Sequence, residues 1–315
     1  MEPIKKNLLN YNFREFSAES TIIVLGDIML DQYYYGDVQR ISPEAPVPIV
    51  KVSKSHHTLG GAGNVANNLS LLGCKVFLAG ITGHDANRDL LCRMMEQRNI
   101  DFSGIVVRET PTITKTRVIG GHQQMVRLDF EETSYLNQEE FNNVVDWFIR
   151  IVNTESPGAV VISDYGKGVC TEEFCKEIIS ICKARGLPVL IDPKGPNWNK
   201  YDGATFVTPN IKELSEVSLT SITNKDEEIE IYGKKVCDKF NIENLLITRS
   251  EMGMTLLSKY GVSHIPTRAQ EVFDVSGAGD TVIATLAAFI SRGFDKEDSV
   301  KLSNLAAGVV VGKLG

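Results

Sequence analysis

The chain has 315 residues, 43% of them hydrophobic, and 40 acidic residues against 33 Lys and Arg give a formal net charge of −7. This length and hydrophobic content allow one large α/β domain or two smaller ones, and the acidic balance argues against a nucleic-acid partner. The first 16 residues lack the apolar stretch of a signal peptide, and no apolar run approaches membrane-spanning length, so we expect no membrane partner and a cytoplasmic location.

Short apolar runs alternate with helical patterns along most of the chain. The runs predict buried strands at Thr21–Leu25, Lys75–Ile81, Ala159–Ser163, Pro188–Ile191, Thr205–Thr208 and Leu245–Thr248. The helical patterns predict helices at Val65–Leu72, Asn87–Arg98, Glu139–Val152, Glu172–Arg185, Glu227–Phe240, Asp280–Ser291 and Lys296–Val311. This alternation predicts an α/β fold with a central, mostly parallel sheet and helices on both of its faces.

Two segments interrupt the alternation. Pro46–Val52, and Thr112–Val118 with Met125–Phe130, combine β-forming residues with charged ones, as strands with one solvated face do. They predict a small β-sheet from approximately residues 37–55 and 105–131, which is either a lid over a crevice or a structural extension. No Pro-, Gly- or Ser-rich linker divides the chain, so we predict a single catalytic domain over residues 1–315 with this small sheet attached.

A glycine-rich turn, Asp274 to Asp280, lies directly ahead of an apolar helix. Glycines let the backbone approach an anion closely, and a helix start offers unpaired N–H groups and partial positive charge. An acid at the same place, Asp280, suggests proton abstraction during phosphoryl transfer. The alternative is that Gly277 and Gly279 only form a tight loop and Asp280 caps the helix.

Other polar groups cluster where predicted strands end. Gly60, Gly61 and Asn64 precede a short helix and form a second site of close approach, suited to a sugar hydroxyl. The strand-end residues are Asp27, Asp164 to Gly168, Asp192 to Lys194, and Pro209 to Glu213. Since ligands bind at the carboxyl ends of the strands in open α/β sheets, these groups predict one site, although each alone is also an ordinary turn.

These elements together resemble the ribokinase, or PfkB, family of carbohydrate kinases, which carries a Gly-Gly element followed by Asn, an N-x-x-E element and a D-T-x-G-A-G-D element. The matching stretches are Gly60 to Asn64, Asn210 to Glu213 and Asp274 to Asp280, in that order, with Val275 where the family often has Thr. Within the family, the kinases of D-glycero-β-D-manno-heptose 7-phosphate are the most similar group. That similarity is carried by Gly26–Asp31, Arg40–Pro48, Gln123–Glu132, Ser163–Gly168 and Ala306–Gly315.

The resemblance implies a ribokinase-like fold and transfer of the γ-phosphoryl group of ATP, with Mg²⁺, to the anomeric hydroxyl of the heptose phosphate. Asp280 is then the general base, and the N–H groups of Gly277, Ala278 and Gly279 stabilise the transferring phosphoryl group. Asn210 and Glu213 position Mg²⁺. The nucleotide-side residues that the resemblance implies are Asn210, Ile211, Lys212, Glu213, Ser250, Gly253 and Asn304.

For the sugar, the resemblance implies Asp27 and Asn64 at the hydroxyls, beside Gly60 and Gly61. The distal phosphate requires cations, for which Lys167, Lys194, Arg117 and Arg127 are candidates. Relatives in this group often carry a fused adenylyltransferase, so a fused or separate adenylyltransferase is an expected partner. Family members frequently dimerise through the small sheet, which implies a homodimer.

Three alternatives compete with this interpretation. Another sugar, sugar-phosphate or nucleoside kinase of the same fold would carry the same phosphate-handling motifs. A nucleotide-binding sensor would keep the fold without turnover, although it would not require an acid such as Asp280. An NAD-dependent dehydrogenase is disfavoured because the chain has no G-x-G-x-x-G sequence.

Overall fold

The computed structural model describes residues 20–267 and 277–312. The strands are β1 Thr21–Gly26, β2 Ile28–Ile41, β3 Pro48–Gly61, β4 Lys75–Gly83, β5 Ile100–Arg108, β6 Thr114–Gly120, β7 Gln123–Phe130, β8 Ala159–Ser163, β9 Val189–Asp192, β10 Phe206–Val207, β11 Asn244–Thr248, β12 Met254–Ser258 and β13 Gly261–Ile265. The helices are α1 Ala62–Leu71, α2 Ala86–Gln97, α3 Gln138–Glu155, α4 Glu172–Ala184, α5 Ile211–Ser218, α6 Asp226–Lys239, α7 Ala278–Ile290 and α8 Lys296–Val311. Within these ranges no helix combines the length and hydropathy of a membrane span.

Nine strands form the large sheet, in the order β13-β12-β11-β10-β9-β8-β1-β4-β5. Neighbours from β11 to β5 are parallel, whereas β12 and β13 add an antiparallel edge. The central strand β1 is apolar on both faces, as a parallel strand covered on both sides should be. The predicted α/β class with a mostly parallel sheet is therefore confirmed.

Each face of the large sheet buries its own hydrophobic core. One core packs helices α3 and α4 against the sheet through residues such as Phe148 and Phe174. The other core packs α1 and α7 against the opposite face, through residues such as Leu69 and Leu286. Because α1 and α7 pack on the same face and contact each other, their N-termini lie close together at the carboxyl edge of the sheet.

Four strands form the small sheet, in the order β3-β2-β6-β7, with β2 and β6 parallel and the outer pairs antiparallel. Its edge strand β7 is exposed throughout its length. A single residue, Asp27, separates the end of β1 from the start of β2, and β3 leads directly into α1. The small sheet is therefore joined directly to β1 and α1, which belong to the large α/β layer.

The predicted boundaries of the small sheet differ from the structure. The segment expected at 37–55 is the outer half of a hairpin that runs over Ile28–Ile41 and Pro48–Gly61. The segment expected at 105–131 begins inside β5, which pairs with β4 in the large sheet. The sequence analysis also left out β12, β13 and α5. Alternating polar residues along β2 and β3, such as Asp31 and His57, hide a hairpin from a search for apolar runs.

Candidate active site

The carboxyl ends of β1, β8 and β9 face the N-termini of α1 and α7, and polar side chains from these five elements meet there. The backbone carbonyl oxygen of Ser163 in β8 accepts a hydrogen bond from the backbone N–H of Asp27 at 3.2 Å. The backbone carbonyl oxygen of Asp192 in β9 accepts one from the backbone N–H of Asp164 at 3.1 Å. These bonds place the strand-end loops side by side. The predicted convergence of the strand ends on one edge is thus present in the fold.

Asp280 is the third residue of α7, and only 5% of its surface is exposed. Its Oδ2 accepts a hydrogen bond from Asn64 Nδ2 at 2.6 Å, and its Oδ1 accepts one from the Tyr165 hydroxyl at 2.8 Å. Burial raises the pKa of Asp280 to about 6, against the lowering effect of these two bonds. A carboxylate with a pKa near neutral and spare lone pairs has the properties of a general base.

Helix α7 begins two residues earlier than predicted, so Asp280 lies inside the first turn and does not cap the helix. Gly277 occupies the N-cap position with φ of 73°, in the left-handed region that favours glycine. A β-carbon at Gly277 would lie 3.3 Å from Asn64 Nδ2, and one at Gly279 would meet nothing within 4 Å. Among the described residues, the space beside Gly279 and next to Asp280 is therefore open. Asp274, Val275 and Ser276 lie outside the described residues.

Tyr165 is a site residue whose role the sequence analysis did not identify. It follows β8 by two residues, and burial together with the nearby charge of Asp280 raises the pKa of its hydroxyl. A hydroxyl with a raised pKa stays protonated and can only donate to the carboxylate of Asp280. Its signal in the sequence was its place in the polar loop that follows a buried strand.

Asp27 is fixed by the same loop. Its Oδ2 accepts hydrogen bonds from the backbone N–H groups of Tyr165 at 2.9 Å and Lys167 at 3.0 Å, and its Oδ1 accepts one from Val169 at 3.1 Å. The side chain is buried, and burial raises its pKa. The structure therefore gives Asp27 the position of a loop anchor, and its assignment to a sugar hydroxyl stays a prediction.

Asp31, which the sequence analysis did not select, lies on β2 beside Gly60. Arg117 of β6 donates a hydrogen bond to its Oδ1 and stacks 5.1 Å from the ring of Tyr33. A β-carbon at Gly60 would lie 2.4 Å from Asp31 Oδ2, and one at Gly61, where φ is 56°, would lie 2.3 Å from the carbonyl oxygen of Asp27. The two glycines are thus required for the close approach of β3 to β2 and to the loop of Asp27.

Asn210 and Glu213 form a reciprocal capping box at the start of α5. Asn210 Oδ1 accepts the backbone N–H of Glu213, and Glu213 Oε2 accepts the backbone N–H of Asn210, each at 3.0 Å. The other carboxylate oxygen of Glu213 lies 3.5 Å from Lys194 Nζ. Asp192 is close by, and burial together with the charges of Asp280 and Glu213 raises its pKa well above the usual value.

One group of possible metal ligands occurs among the described residues, and its carboxylates already have partners in the protein. Asp27, Asp164 and Cys170 bring ligand atoms within 4.8 Å of one another. However, Asp164 is bonded by the Lys200 amine and by the Tyr201 hydroxyl, at 2.6 Å for the latter. Since a cation and several donors neutralise these carboxylates, the cluster is a structural network.

The candidate cations for a distal phosphate are already paired with acids. Lys167 Nζ lies 2.7 Å from Glu131, and Arg127 pairs with Asp129 on β7 with half of its side chain exposed. Lys194 is also half exposed. Arg117 is the most enclosed of the arginine candidates, with 22% of its side chain exposed. Arg117 is therefore the more enclosed and Arg127 the more exposed of the two arginines, and binding roles for both stay predictions.

The remaining nucleotide-side candidates lie around the ends of β11, β12 and α5. Ser250 is exposed, and Lys212 has 85% of its side chain exposed, whereas Asn304 is buried and donates to the carbonyl oxygen of Pro266 at 2.9 Å. A β-carbon at Gly253 would lie 2.1 Å from the carbonyl oxygen of Ile265, so glycine is needed there for packing. Ile211 is half-buried in α5. Binding roles for these residues stay predictions.

Comparison with known proteins gives the family. The family model of the pfkB carbohydrate kinases matches residues 19–315. The chain belongs to this family. It is therefore a carbohydrate kinase, and the dehydrogenase and sensor alternatives are set aside.

Relatives with curated names support a finer grouping. The bifunctional protein HldE of Methylobacillus flagellatus is 45% identical over 295 residues, which cover 93% of this chain and 60% of that protein. HldE of Haemophilus influenzae (strain PittEE) is 45% identical over 309 residues, which cover 96% of this chain and 62% of that protein. The chain thus spans about 60% of the length of these relatives.

Solved structures confirm the ribokinase-like fold. The tetrameric inhibited form of Escherichia coli phosphofructokinase-2 matches with a TM-score of 0.77 at 17% identity, covering 93% of this chain and 94% of that one. Arabidopsis thaliana ribokinase, complexed with ribose and ATP, matches with a TM-score of 0.72 at 19% identity, covering 94% of both chains.

Proposed function

We propose that this carbohydrate kinase transfers the γ-phosphoryl group of ATP to the anomeric hydroxyl of D-glycero-β-D-manno-heptose 7-phosphate, giving the 1,7-bisphosphate and ADP. The observation that carries the reaction type is the buried Asp280 carboxylate at the start of α7, held by Asn64 and Tyr165 beside an open glycine turn. The similarity to HldE proteins supports a heptose acceptor.

In this reaction the anomeric oxygen forms a bond to the γ-phosphorus while the bond to the ADP oxygen breaks. Asp280 takes the proton of the hydroxyl, since its pKa of about 6 leaves it ionised near neutral pH. The N–H groups of Gly277, Ala278 and Gly279 face the site from the helix start, where the helix dipole stabilises negative charge. Asn64 holds the base in place and borders the sugar.

The residues at the end of β9 and the start of α5 fit a magnesium site. Among the described residues no side chain hydrogen bonds to the Asp192 carboxylate, and one oxygen of Glu213 meets only Lys194, at 3.5 Å. Such oxygens suit Mg²⁺, which takes oxygen ligands and keeps part of its water shell. Bound there with ATP, Mg²⁺ would supply charge neutralisation for the phosphates, and Asn210 would hold Glu213 in place through the capping box.

The sugar side of the site is lined by Asn64, Gly60 and Asp31, and Arg117 is the cation placed to meet the distal phosphate. We further propose that the product serves ADP-heptose synthesis for lipopolysaccharide, with an adenylyltransferase fused or separate, since HldE relatives are bifunctional. A cytoplasmic location follows from that role. A homodimer through the small sheet is supported by exposed apolar side chains on its edge strand β7, including Leu128 and Phe130.

An acceptor panel tests the proposal. ATP consumption with Mg²⁺ is measured for the heptose 7-phosphate, fructose 6-phosphate and ribose, and ³¹P NMR locates the new phosphate on the product. We expect turnover of the heptose phosphate at its anomeric position, lost in Asp280→Asn and kept in Asp146→Asn, which alters an exposed acid of α3. Preference for another acceptor would keep the kinase and overturn the heptose assignment.

A further inference from the structure

A second cavity lies along the outer edge of the small sheet, between edge strand β3 and helices α1 and α2. Its volume is about 480 Å³, in the range of sites that hold metabolites. It is bounded by β3, by Asn67 of α1 and by one face of α2. Its lining is Ser55, His56, His57, Thr58, Leu59, Asn67, Leu90, Arg93, Met94, Gln97 and Arg98.

Strand pairing shows that both faces of β3 contribute residues to this cavity. Side chains alternate between the two faces of a strand, and directly paired residues share a face. Asp31 pairs with Thr58, whereas Gln32 pairs with His57. His57 therefore lies on the face of the small sheet opposite Asp31, where Gln32 Nε2 donates to Asn87 Oδ1 of α2 at 3.2 Å, whereas Thr58 shares the face of Asp31.

The cavity wall from α2 is one helix face with an unusual composition. Positions 90, 93, 94, 97 and 98 follow the spacing at which a helix buries its apolar stripe. Here Leu90 and Met94 form an apolar floor, while Arg93, Gln97 and Arg98 are exposed. Within residues 20–267 and 277–312, neither arginine side chain forms an ion pair or a hydrogen bond.

The charge of the cavity is one-sided. Its lining contains two arginines and two histidines and no aspartate or glutamate, in a chain whose net charge is −7. The cations of the active site, by contrast, are neutralised by acids such as Glu131 and Asp31. Arginines without acidic partners beside hydrogen-bonding amides and an apolar floor match a phosphorylated organic molecule.

We propose that this cavity binds a phosphorylated metabolite, with Arg93 and Arg98 at the phosphate, His57 and Gln97 as further donors, and Leu90 and Met94 under the organic part. The residues proposed for this site are not among those proposed for catalysis, and its existence does not depend on which sugar the enzyme phosphorylates. The occupant would contact β3 and α1, the two elements that carry Gly60 and Asn64.

Histidine NMR tests the proposal directly, because the chain has only five histidines. The protein is labelled with ¹³C-histidine, the His57 signal is assigned with His57→Gln, and pyrophosphate is titrated at low salt. We expect a saturable shift of the His57 signal. In Arg93→Gln/Arg98→Gln the apparent dissociation constant should rise by about tenfold or more, since charge-assisted bonds to phosphate are lost. The matched control, Lys176→Gln/Lys183→Gln, removes two exposed positive charges from α4 and should leave the titration unchanged.

Titrations with ADP and with ribose 5-phosphate then distinguish a nucleotide from a sugar phosphate as the organic part. Either single arginine variant replaces the double variant if the latter does not fold, as judged by circular dichroism. Catalytic turnover with ATP and the sugar phosphate as the only phosphorylated compounds should stay within twofold of wild type in these variants. The proposal is overturned if no probe moves the His57 signal, or if the signal moves equally in wild type and in the arginine variant.

Discussion

Two buried aspartates at the same edge of the sheet, Asp27 and Asp280, differ in the groups that donate hydrogen bonds to them. Asp27 accepts three backbone N–H groups from residues 165–169, so its bonds define the shape of a loop. Asp280 accepts two side-chain donors, from Asn64 and Tyr165. Backbone donors make a carboxylate part of the fold, whereas side-chain donors orient a carboxylate that still has lone pairs for a substrate. The difference predicts that Asp27 acts on stability and Asp280 on catalysis.

The largest effect is expected for Asp280→Asn, which removes the base and keeps the shape of the side chain. We expect kcat/KM to fall by about 10²- to 10⁴-fold, as for loss of a general base. Steady-state kinetics with the preferred sugar measures it, and Asp146→Asn is the control. A variant that keeps full activity would show that another group takes the proton.

The same variant should gain stability above pH 6. Burial raises the pKa of Asp280 to about 6 in the native state, whereas its pKa in the unfolded chain is near 4. The free energy of unfolding therefore falls as pH rises from about 4 to about 6, because the buried carboxyl group must then ionise. Asparagine cannot ionise, so Asp280→Asn should raise the free energy of unfolding at pH 8 by up to about 3 kcal/mol. Urea unfolding at pH 8 and at pH 4, where the difference should vanish, measures this gain.

Asp27→Asn should act mainly on folding. The amide offers one acceptor oxygen and places an NH₂ group against backbone N–H donors, so we expect the free energy of unfolding to fall by about 2 kcal/mol. Urea unfolding tests this against Asp37→Asn, an exposed acid on β2. A variant with wild-type stability and a strongly raised KM for the sugar would instead support the predicted contact of Asp27 with a sugar hydroxyl.

Tyr165→Phe should shift a pH profile. In wild type, kcat/KM should decrease as pH falls below about 6, because Asp280 becomes protonated. The Tyr165 bond lowers the pKa of Asp280, so its loss should move this acid limb upward by about one pH unit. Tyr260→Phe, at an exposed tyrosine, should leave the profile in place. An unshifted limb in Tyr165→Phe would show that the hydroxyl does not influence the base.

The smallest effect is expected for Arg127→Gln, since Arg127 is half exposed and already paired with Asp129. Its KM for the sugar phosphate should stay within about twofold of wild type, whereas Arg117→Gln, at the enclosed arginine, should raise KM by about tenfold or more. Initial-rate kinetics over a range of sugar-phosphate concentrations compares the two. A larger effect at Arg127 would place the distal phosphate at the rim of the small sheet.

The sequence alone determined the α/β class and the parallel strands, and it singled out Asp280 as the predicted base. Buried parallel strands such as Ala159–Ser163 are apolar on both faces, and the turn before α7 is rich in glycine. Both features can therefore be recognised from a short stretch of sequence. The family resemblance extended this to the kinase activity, and the match of residues 19–315 confirms it.

Only the tertiary structure decided which partners each of the acidic side chains has. Asp27, Asp31 and Asp280 are similar in sequence terms, since each lies beside glycines or apolar residues near a predicted strand or helix end. Their roles follow from partners more than 80 residues away, such as Arg117 for Asp31 and Tyr165 for Asp280. The cavity beside α2 likewise depends on which face of β3 meets that helix. Local patterns fix the elements, but a side chain's donors and its exposure to water are set by the way distant elements pack.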